Sequence, residues 1–378
     1  MFRAQHLAAC TAMTVLFAPA AHAVRLDVGN TALTIGGYIK IDALVTNYDA
    51  RPSASLEPLG RDYYAGPRSV PLSDGGDSIT LLDVHAKQTR TWLRTETTLE
   101  NGETLGAYVE MDFQNSAQGN ETISNSYVPR MRQAYLTYGD WLVGQTWSTF
   151  QNVSALPETL DFIGPTESTV FIRQPMLRYT SGPLQFALEN PETRIAGDAT
   201  TDDNAIPDVA LRYTLKMDSM DFVAAGLLRA LESQDRGEDG VDDTIVGGGI
   251  SLSGRIPFGR DDLKFMLTAG SGLGRYLGVL ANFDAVVDDQ GDLDAVDVLA
   301  GYVSYRHFWS DRVRSTVVYG MFSGDGDIDS ASSAHVNLLY SPVRNLTLGV
   351  ELMQASRENA GGAEGDFQRL QLAAKLAF

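Results

Sequence analysis

The sequence predicts an all-β protein, a transmembrane antiparallel β-barrel of about sixteen strands. The first reason is the carboxyl-terminal segment, where apolar Leu370, Leu372 and Phe378 fall at even-numbered positions. Arg369 and Lys375 fall at odd-numbered positions, which face the other side of a strand. The second reason is that this two-residue rhythm recurs along the chain without helical periodicity. The third is that short and long connections alternate. One apolar face toward lipid and one polar face toward water are typical of a membrane barrel.

The predicted strands alternate apolar and polar side chains over about 8 to 12 residues each. In one of them Val109, Met111 and Phe113 oppose Glu110 and Asp112. The predicted strands span residues 35–45, 88–100, 103–114, 128–138, 141–147, 170–180, 183–190, 208–215, 221–229, 244–255, 262–271, 297–306, 312–322, 334–340, 346–354 and 367–378.

Short and long connections between these strands alternate strictly. The short ones are residues 101–102, 139–140, 181–182, 216–220, 256–261, 307–311 and 341–345. The long ones are residues 48–87, 115–127, 148–169, 191–207, 230–243, 272–296, 323–333 and 355–366. Short periplasmic turns and long external loops produce this pattern in a membrane barrel, and an even strand number leaves both termini on the periplasmic side.

The amino terminus has the features of a secretory signal. Arg3 supplies a positive charge, residues 8–18 are mostly apolar, and Ala21-His22-Ala23 places small residues at the two positions that a signal peptidase recognises. We expect a signal peptide over residues 1–23 and a single outer-membrane barrel domain over residues 24–378, since no Pro/Gly/Ser-rich linker marks a boundary.

The only cysteine, Cys10, lies within that signal, so we expect no disulfide and no thiolate metal site in the mature chain. The tetrapeptide ending at Cys10 resembles a lipoprotein box, but the apolar run lies mainly after it, which argues against lipidation. Beyond the signal there is no apolar run of about 20 residues, the length that a membrane-spanning helix needs.

The chain is acidic, with 48 acidic and 29 basic residues and a formal charge of −19. Loss of Arg3 with the signal takes the formal charge to −20. This balance argues against a nucleic-acid partner, which requires a basic surface. Acidic pairs fall in the long loops, at Asp202-Asp203, Asp242-Asp243 and Asp288-Asp289. We expect these loops to face outward, beside lipopolysaccharide and outer-membrane lipid.

Aromatic side chains cluster near the predicted strand ends, which is typical of the girdles at the two membrane interfaces, although ordinary β-propensity explains them as well. The girdle candidates are Tyr38, Trp92, Tyr135, Tyr138, Trp141, Trp147, Tyr179, Tyr213, Tyr305, Trp309, Tyr319 and Tyr340.

The third long connection, residues 148–169, is more apolar than the others and contains Phe150, Leu160 and Phe162. An apolar loop among polar loops should be buried, so we expect it to fold into the barrel and narrow the lumen. Folding inward would bring its acidic residues into the lumen. We assign the acidic side of the constriction to Glu158 and Asp161 and expect Glu167 nearby.

Arginines concentrate in the strands that flank this loop. Lipid-facing arginine costs about 2 to 4 kcal/mol at the membrane midplane, so these side chains should face the lumen, where they would attract anions. We assign the basic side of the constriction to Arg90, Arg94, Arg130, Arg132, Arg173 and Arg178, and place Arg212 in the same group.

The arginine hypothesis has one competing interpretation and one irregularity. The arginines could instead only neutralise lumenal acids such as Glu96, Glu110 and Asp112. Arg90 and Arg94 share parity, as do Arg130 and Arg132, but Arg173 and Arg178 do not. A β-bulge would bring that last pair to one face; otherwise one of the two is not lumenal.

Other chemistry has little support in the sequence. Asp325, Asp327 and Asp329 resemble the start of a calcium loop, but Val336 stands where the twelfth ligand would be. The histidines after the signal have no metal-ligand spacing. We expect no catalytic residues, no metal and no cofactor.

Several motifs together resemble the DcaP-like family of outer-membrane porins. They are Arg130-Met-Arg-Gln-Ala-Tyr-Leu-Thr-Tyr138, Gly144-Gln-Thr-Trp-Ser-Thr-Phe150, Leu156-Pro-Glu-Thr-Leu-Asp-Phe-Ile-Gly-Pro165, Arg173-Gln-Pro175 and Glu189-Asn-Pro-Glu-Thr193. The resemblance implies a trimer with sixteen strands per subunit and uptake of small negatively charged compounds, including dicarboxylates. It also implies that residues 144–150 and 156–165 form the constriction, with Arg130, Arg132, Arg173 and Arg178 as its basic side. The helical extension that some members carry before the barrel is not expected here, since only residues 24–34 precede the first strand.

The resulting hypothesis is a passive outer-membrane channel of a Gram-negative bacterium, a homotrimer that favours small organic anions. One alternative is a non-selective or cation-preferring porin, given the acidic total charge. Another is a barrel enzyme or adhesin with a closed lumen.

Overall fold

A computed structural model describes residues 23–52, 57–73, 76–115, 123–196, 205–233, 243–288 and 290–378. The predicted signal peptide lies outside these residues except for Ala23, and so do the acidic residues Asp202, Asp203, Asp242 and Asp289. No helix among the described residues is long and apolar enough to cross a membrane.

Twenty-one strands make up the described secondary structure, with short helical turns between some of them. The strands are β1 Val24–Val28, β2 Thr31–Tyr48, β3 Ile79–His85, β4 Arg90–Thr98, β5 Thr104–Asp112, β6 Arg130–Tyr138, β7 Trp141–Trp147, β8 Arg173–Ser181, β9 Leu184–Glu189, β10 Ile195–Ala196, β11 Asp208–Met217, β12 Met220–Ser233, β13 Asp243–Phe258, β14 Asp261–Ser271, β15 Ala285–Val287, β16 Leu293–Ala295, β17 Asp297–Phe308, β18 Val313–Gly324, β19 Ile328–Val343, β20 Leu346–Asn359 and β21 Glu364–Ala377. The helical segments are α1 Glu57–Asp62 and the 3₁₀ turns Pro67–Ser69, Val153–Ala155 and Thr166–Ser168.

Sixteen antiparallel strands close into one barrel, as the sequence predicts. They are β2, the pair β3 and β4 counted as one, β5 to β9, β11 to β14 and β17 to β21. β2 pairs with β21 on one side and with β3 and β4 on the other, which joins the first and last barrel strands. β3 and β4 are two halves of one barrel strand, interrupted where the Thr89 hydroxyl hydrogen-bonds the backbone of Lys40. β1 forms a hairpin with the start of β2, and β10, β15 and β16 form a small separate sheet in the external loops.

Outward side chains are apolar, as lipid contact requires. Ile41, Leu82, Leu338 and Leu372, for example, are each about half exposed or more, whereas their strand neighbours Asp42 and Asn337 are buried. Eight of the twelve girdle candidates lie outward: Tyr138, Trp141, Tyr179, Tyr213, Tyr305, Trp309, Tyr319 and Tyr340. The other four are less exposed, and the girdle prediction is wrong for them. Tyr38, Trp92 and Tyr135 lie on the lumenal face, and Trp147 packs at the base of the third long loop.

Three long loops fold toward the interior and contact one another. The third long loop, predicted over residues 148–169, extends over residues 148–172 in the structure, because β8 begins only at Arg173. It enters the barrel, which confirms the predicted inward fold. Its Thr166 hydroxyl donates to the Tyr64 carbonyl in the first loop, and its Phe171 amide donates to the Tyr276 carbonyl in a later one. We call residues 148–172 the constriction loop.

Candidate permeation site

The constriction loop follows the inner wall of the barrel and is attached to it by basic side chains. Arg178 on β8 donates to the Thr149 hydroxyl at 2.8 Å and to the Trp147 carbonyl. Arg212 on β11 donates to the Gln151 carbonyl at 2.9 Å. Farther round the barrel, two lysines hold later carbonyls. Lys264 Nζ lies 2.6 Å from the Leu156 carbonyl oxygen, and Lys40 Nζ lies 2.6 Å from that of Leu160.

Carboxylates attach the same loop on the far side of the barrel. Glu351 on β20 accepts the backbone N–H groups of Leu160 at 2.7 Å and Asp161 at 3.1 Å. Glu167, within the loop, accepts the Ser333 hydroxyl of β19 at 2.9 Å. The loop backbone is therefore hydrogen-bonded to strands all around the wall, which fixes the shape of the narrowest region.

Glu158 and Asp161, predicted as the acidic side of the constriction, are both engaged in structural contacts. Glu158 accepts from Arg314 at 2.6 Å and from Arg306 at 3.0 Å. Partial desolvation acts to raise the pKa of Glu158, but these two guanidinium groups outweigh it and lower the pKa to about 2. Asp161 accepts the backbone N–H groups of Tyr64, Ile163 and Gly164 at 2.8 to 3.1 Å.

Three of the predicted arginines converge on two carboxylates of β5. Arg130 forms a bidentate pair with Asp112, at 3.0 and 3.1 Å. Arg132 bridges Glu110 at 2.7 Å and Asp112 at 2.9 Å. Arg90 lies 3.9 Å from Glu110 and 3.7 Å from Asp112. We call Arg90, Arg130, Arg132 and Arg173 the constriction arginines.

A β-bulge explains why this group is so dense. The register of β5 against β6 shifts between Glu110 and Met111, so that Glu110 faces Gln133 while Met111 faces Met131. The extra residue is Arg132, which turns inward beside Gln133, and both side chains are buried. A bulge of this kind redirects a side chain without breaking the barrel.

Arg173, the first residue of β8, joins this group. The β7–β8 register is regular, so the bulge considered for Arg173 and Arg178 is not there, and only Arg178 has lumenal parity. Arg173 instead stacks on Trp147, with its guanidinium carbon 4.6 Å from the ring centre, and Arg132 lies 5.8 Å from the same ring. No carboxylate among the described residues forms an ion pair with Arg173.

Phe162 of the constriction loop covers the arginines. Its ring centre lies 5.4 Å from the guanidinium carbon of Arg132 and 5.9 Å from those of Arg90 and Arg130. These distances are within the range of cation–π attraction. The loop thus presents an aromatic face, rather than an acidic one, to the basic wall.

The remaining predicted arginines have separate roles. Arg94 pairs with Glu96 at 2.6 Å and its side chain is 42% exposed. The competing interpretation, that arginines neutralise lumenal acids, thus describes Arg94 and part of the constriction group. Arg178 and Arg212 are held by carbonyl and hydroxyl oxygens of the loop instead.

A second basic group was missed in the sequence. Arg255, Lys264, Arg306 and Arg314 lie on the lumenal faces of β13, β14, β17 and β18, near the short turns, with Asp262 and Glu158 among them. The sequence signal that could have revealed them is alternation along the strand. Arg255 and Arg306 occupy the face opposite to that of outward residues such as Leu252 and Val303.

No group of His, Cys, Asp or Glu side chains that could hold a metal ion occurs in the described part of the chain. Asp327, in the calcium-loop-like segment, pairs with Arg68 at 2.7 Å. His335 lies between the Glu351 carboxylate and the Ser333 hydroxyl, each 3.3 Å from one ring nitrogen, and Ser333 in turn donates to Glu167 of the loop.

The DcaP outer membrane protein family matches residues 26–378. The outer membrane channel DcaP of Acinetobacter baumannii is 23% identical, with 93% of this chain and 99% of that chain covered and a TM-score of 0.76. The anion-selective porin from Comamonas acidovorans is 13% identical, with coverages of 92% and 100% and a TM-score of 0.57. OmpF of Salmonella typhi, in complex with daunomycin, is 11% identical, with coverages of 94% and 100% and a TM-score of 0.59.

No curated protein matches the sequence significantly. These three solved structures, each below 25% identity, share the porin fold with this chain. Because the family match extends over nearly the whole chain and the described strands close into a sixteen-stranded barrel, the protein belongs to the DcaP outer membrane protein family and is a porin-type channel of the Gram-negative outer membrane.

Proposed function

We propose that this channel permits passive diffusion of small hydrophilic solutes and favours small organic anions such as dicarboxylates. It needs neither catalysis nor an energy source. The observation that carries the proposal is the charge imbalance at the constriction. Arg90, Arg130 and Arg132 form ion pairs with two carboxylates, Glu110 and Asp112. Arg173 adds a fourth guanidinium group, which stacks on the Trp147 ring near Arg132.

This imbalance favours anions because arginine remains charged at any physiological pH. The excess of two positive charges matches the charge of a dicarboxylate. Arg130 is the most accessible member of its ion-paired trio, with 27% of its side chain exposed. A guanidinium group binds a carboxylate through two parallel hydrogen bonds, a geometry that halide cannot use. Carboxylates should therefore interact more strongly with this group than chloride does.

The cation-preferring alternative rests on the total charge, which is strongly negative. Several acids that contribute to that charge lie away from the lumen or are already paired. Asp311 is 92% exposed in a short turn, and Glu158 is bound by two arginines. The field at the constriction should depend on the nearby arginines, since surface charges are screened within about 10 Å. The anion-selective porin from Comamonas acidovorans shares the fold alone, so the anion preference proposed here rests on the side chains of this chain.

The experiment that tests the proposal is the reversal potential of the mature protein in a planar bilayer under a salt gradient. An anion-directed potential is expected. Arg130→Gln should reduce it, Arg130→Lys should retain most of it, and Arg260→Gln, in an exposed turn, should leave it unchanged. A cation-directed potential in the wild-type protein would contradict the proposal. A protein that inserts yet conducts no ions would favour an enzyme or adhesin with a closed lumen.

We also propose a homotrimer embedded in outer-membrane lipid, with lipopolysaccharide beside the external loops. The apolar outward surface is compatible with either lipid or a neighbouring subunit. A structure of OmpT of Vibrio cholerae with the same fold is described as a trimer form. Conductance steps in multiples of three, together with cross-linking in detergent, would test the assembly; a purely monomeric species with single steps would contradict it.

A further inference from the structure

We propose that the lumen contains a second carboxylate-binding site, centred on Arg255 and Lys264 and separate from the constriction arginines. It rests on the proposed anion preference and extends it: an anion that leaves the constriction would be bound again near the periplasmic exit. We call Arg255, Lys264, Arg306 and Arg314 the exit cluster.

Register places like charges side by side in the exit cluster. Arg255 and Lys264 are direct cross-strand partners on β13 and β14, and both lie on the lumenal face. Like charges directly opposite each other destabilise a sheet unless an anion lies between them or close by. Asp262 supplies part of that compensation, since Arg255 Nη2 lies 3.2 Å from its Oδ2.

Asp262 is shared, however, because Arg306 also binds the same oxygen. Glu158 is occupied in the same way by Arg306 and Arg314. The exit cluster therefore has four cationic side chains, and among the described residues only two carboxylates, Asp262 and Glu158, form ion pairs with it. Asp221 lies opposite Arg255 on its other side, but no ion pair within 4 Å joins them, and Asp221 faces Lys216 across β11 and β12.

Hydrogen-bond donors remain available for a solute. The side chain of Arg255 is 31% exposed, and its Nε and Nη2 bind Asp262, while no acceptor among the described residues takes a hydrogen bond from its Nη1. Within the described part of the chain, Lys264 Nζ makes one hydrogen bond, to the Leu156 carbonyl. One guanidinium N–H pair and one ammonium group on adjacent strands are suited to a carboxylate.

The exit cluster also lies at a different position along the pore. Its members are within about four residues of a short turn, whereas Arg90, Arg130 and Arg132 are about seven or more residues from one, at about 3.3 Å per residue. Short turns lie on the periplasmic side of such barrels. The two basic groups therefore lie at different heights along the pore wall, and the constriction loop contacts both of them, through Phe162 on one side and through Leu156 and Glu158 on the other.

The test uses succinate as a blocker of the chloride current through the mature protein in a planar bilayer, added to each side in turn. Arg255→Gln should raise the half-blocking concentration about threefold from one side, as expected for loss of one partly screened charge, and Arg255→Lys should restore it. Arg260→Gln, which removes the same charge from a nearby turn, is the matched control. Circular dichroism in detergent would verify folding of each variant.

The outcomes separate this inference from the proposed function. If succinate blocks the wild-type channel and Arg130→Gln weakens the block, but Arg255→Gln behaves like Arg260→Gln, the exit site is wrong while the proposed function stands. If the wild-type channel has no anion preference and no succinate block, both are wrong.

Discussion

The Nδ1 atom of His335 lies 3.3 Å from Oε1 of Glu351, the carboxylate on the neighbouring strand that holds the constriction loop. On its other side, Nε2 of His335 lies 3.3 Å from the hydroxyl of Ser333, which donates to Glu167 in the loop itself. The two carboxylate anchors of the loop are thus joined through one buried imidazole.

The directions of these hydrogen bonds determine how many protons the series Glu351–His335–Ser333–Glu167 holds. If Ser333 donates its only proton to Glu167, it must accept from Nε2–H, and Nδ1 must donate to the Glu351 carboxylate, so the imidazole is a cation. If Glu167 is protonated instead, it donates to Ser333 and the imidazole is neutral. Either arrangement contains one proton more than an ionised Glu167 beside a neutral His335, so the attachment of the loop depends on that proton.

Barrel stability should accordingly decrease as pH rises through neutrality. Complete burial raises the pKa of Glu167 from 4.5 to about 7, against the lowering effects of Ser333 and His335. The lower value applies to the unfolded chain and the higher value to the folded one, so between them the folded chain binds more protons. The stabilisation that comes from protonated Glu167 is therefore complete below pH 4.5 and is lost as the pH rises through 7. The loss is about 3 kcal/mol at most. Unfolding in detergent from pH 5 to 8 should show this slope, and Glu167→Gln should flatten it; an unchanged slope in the variant would contradict the assignment.

Replacement of the other anchor should loosen the loop. Glu351→Gln keeps the size of the side chain but turns one acceptor toward loop N–H groups into a donor, which should cost about 1 to 3 kcal/mol. We expect a lower unfolding temperature and frequent brief changes of current in single-channel recordings. Glu358→Gln, on the same strand near its external end, is the control. Quiet recordings from both variants would mean that the loop is held without Glu351.

The barrel could be predicted because its determinants are local. Alternation of apolar and polar side chains indicates which face of each strand is turned to lipid, as in β21. The length of a connection indicates whether it lies on the periplasmic or the external side of the membrane. Several strands extend past the predicted ends. β19, for example, spans residues 328–343 rather than 334–340, because pairing with β18 and β20 continues beyond the membrane, where alternation is no longer apolar.

Much of the site could not be predicted, because strand parity does not reveal what a lumenal residue contacts. Arg178 and Arg130 both face inward, yet Arg178 is occupied by loop oxygens while Arg130 binds Asp112 beside the constriction. Glu158, predicted on the acidic side of the constriction, binds Arg306 and Arg314, which are about 150 residues away in the chain. Such pairings depend on the path of the constriction loop inside the barrel.

Gly144 occupies a position where a side chain should be strongly destabilising. Its φ is +127°, and an added Cβ would lie 2.5 Å from the Ala134 carbonyl oxygen and 2.7 Å from Cα of Tyr135. Gly144→Ala should lower the free energy of unfolding by about 2 to 4 kcal/mol through strain and overlap. Gly226→Ala is the matched control, since nothing lies within 4 Å of its added Cβ. Equal stability of the two variants in urea would refute the prediction.

The aromatic cover over the constriction arginines should limit their exposure. Phe162→Ala removes a ring in contact with Arg90, Arg130 and Arg132, each contact contributing about 0.5 to 1 kcal/mol. We expect a larger single-channel conductance with the anion preference retained. Phe283→Ala is the control, because Phe283 also contacts two arginines, Arg68 and Arg194, but in the external loops. An unchanged conductance in Phe162→Ala would show that the ring does not narrow the path.

Arg132 and Arg130 should respond differently to the same substitution, although they are two residues apart. The Arg132 side chain is only 2% exposed and binds two buried carboxylates, so Arg132→Gln leaves Glu110 and Asp112 short of one guanidinium and should destabilise the barrel by about 3 to 5 kcal/mol. The Arg130 side chain is 27% exposed, so Arg130→Gln should cost about 1 kcal/mol and change mainly the anion preference. Urea unfolding in detergent, measured beside reversal potentials, would separate the two effects. If both variants lost stability equally, burial would not distinguish the two arginines, and Arg130 would be as structural as Arg132.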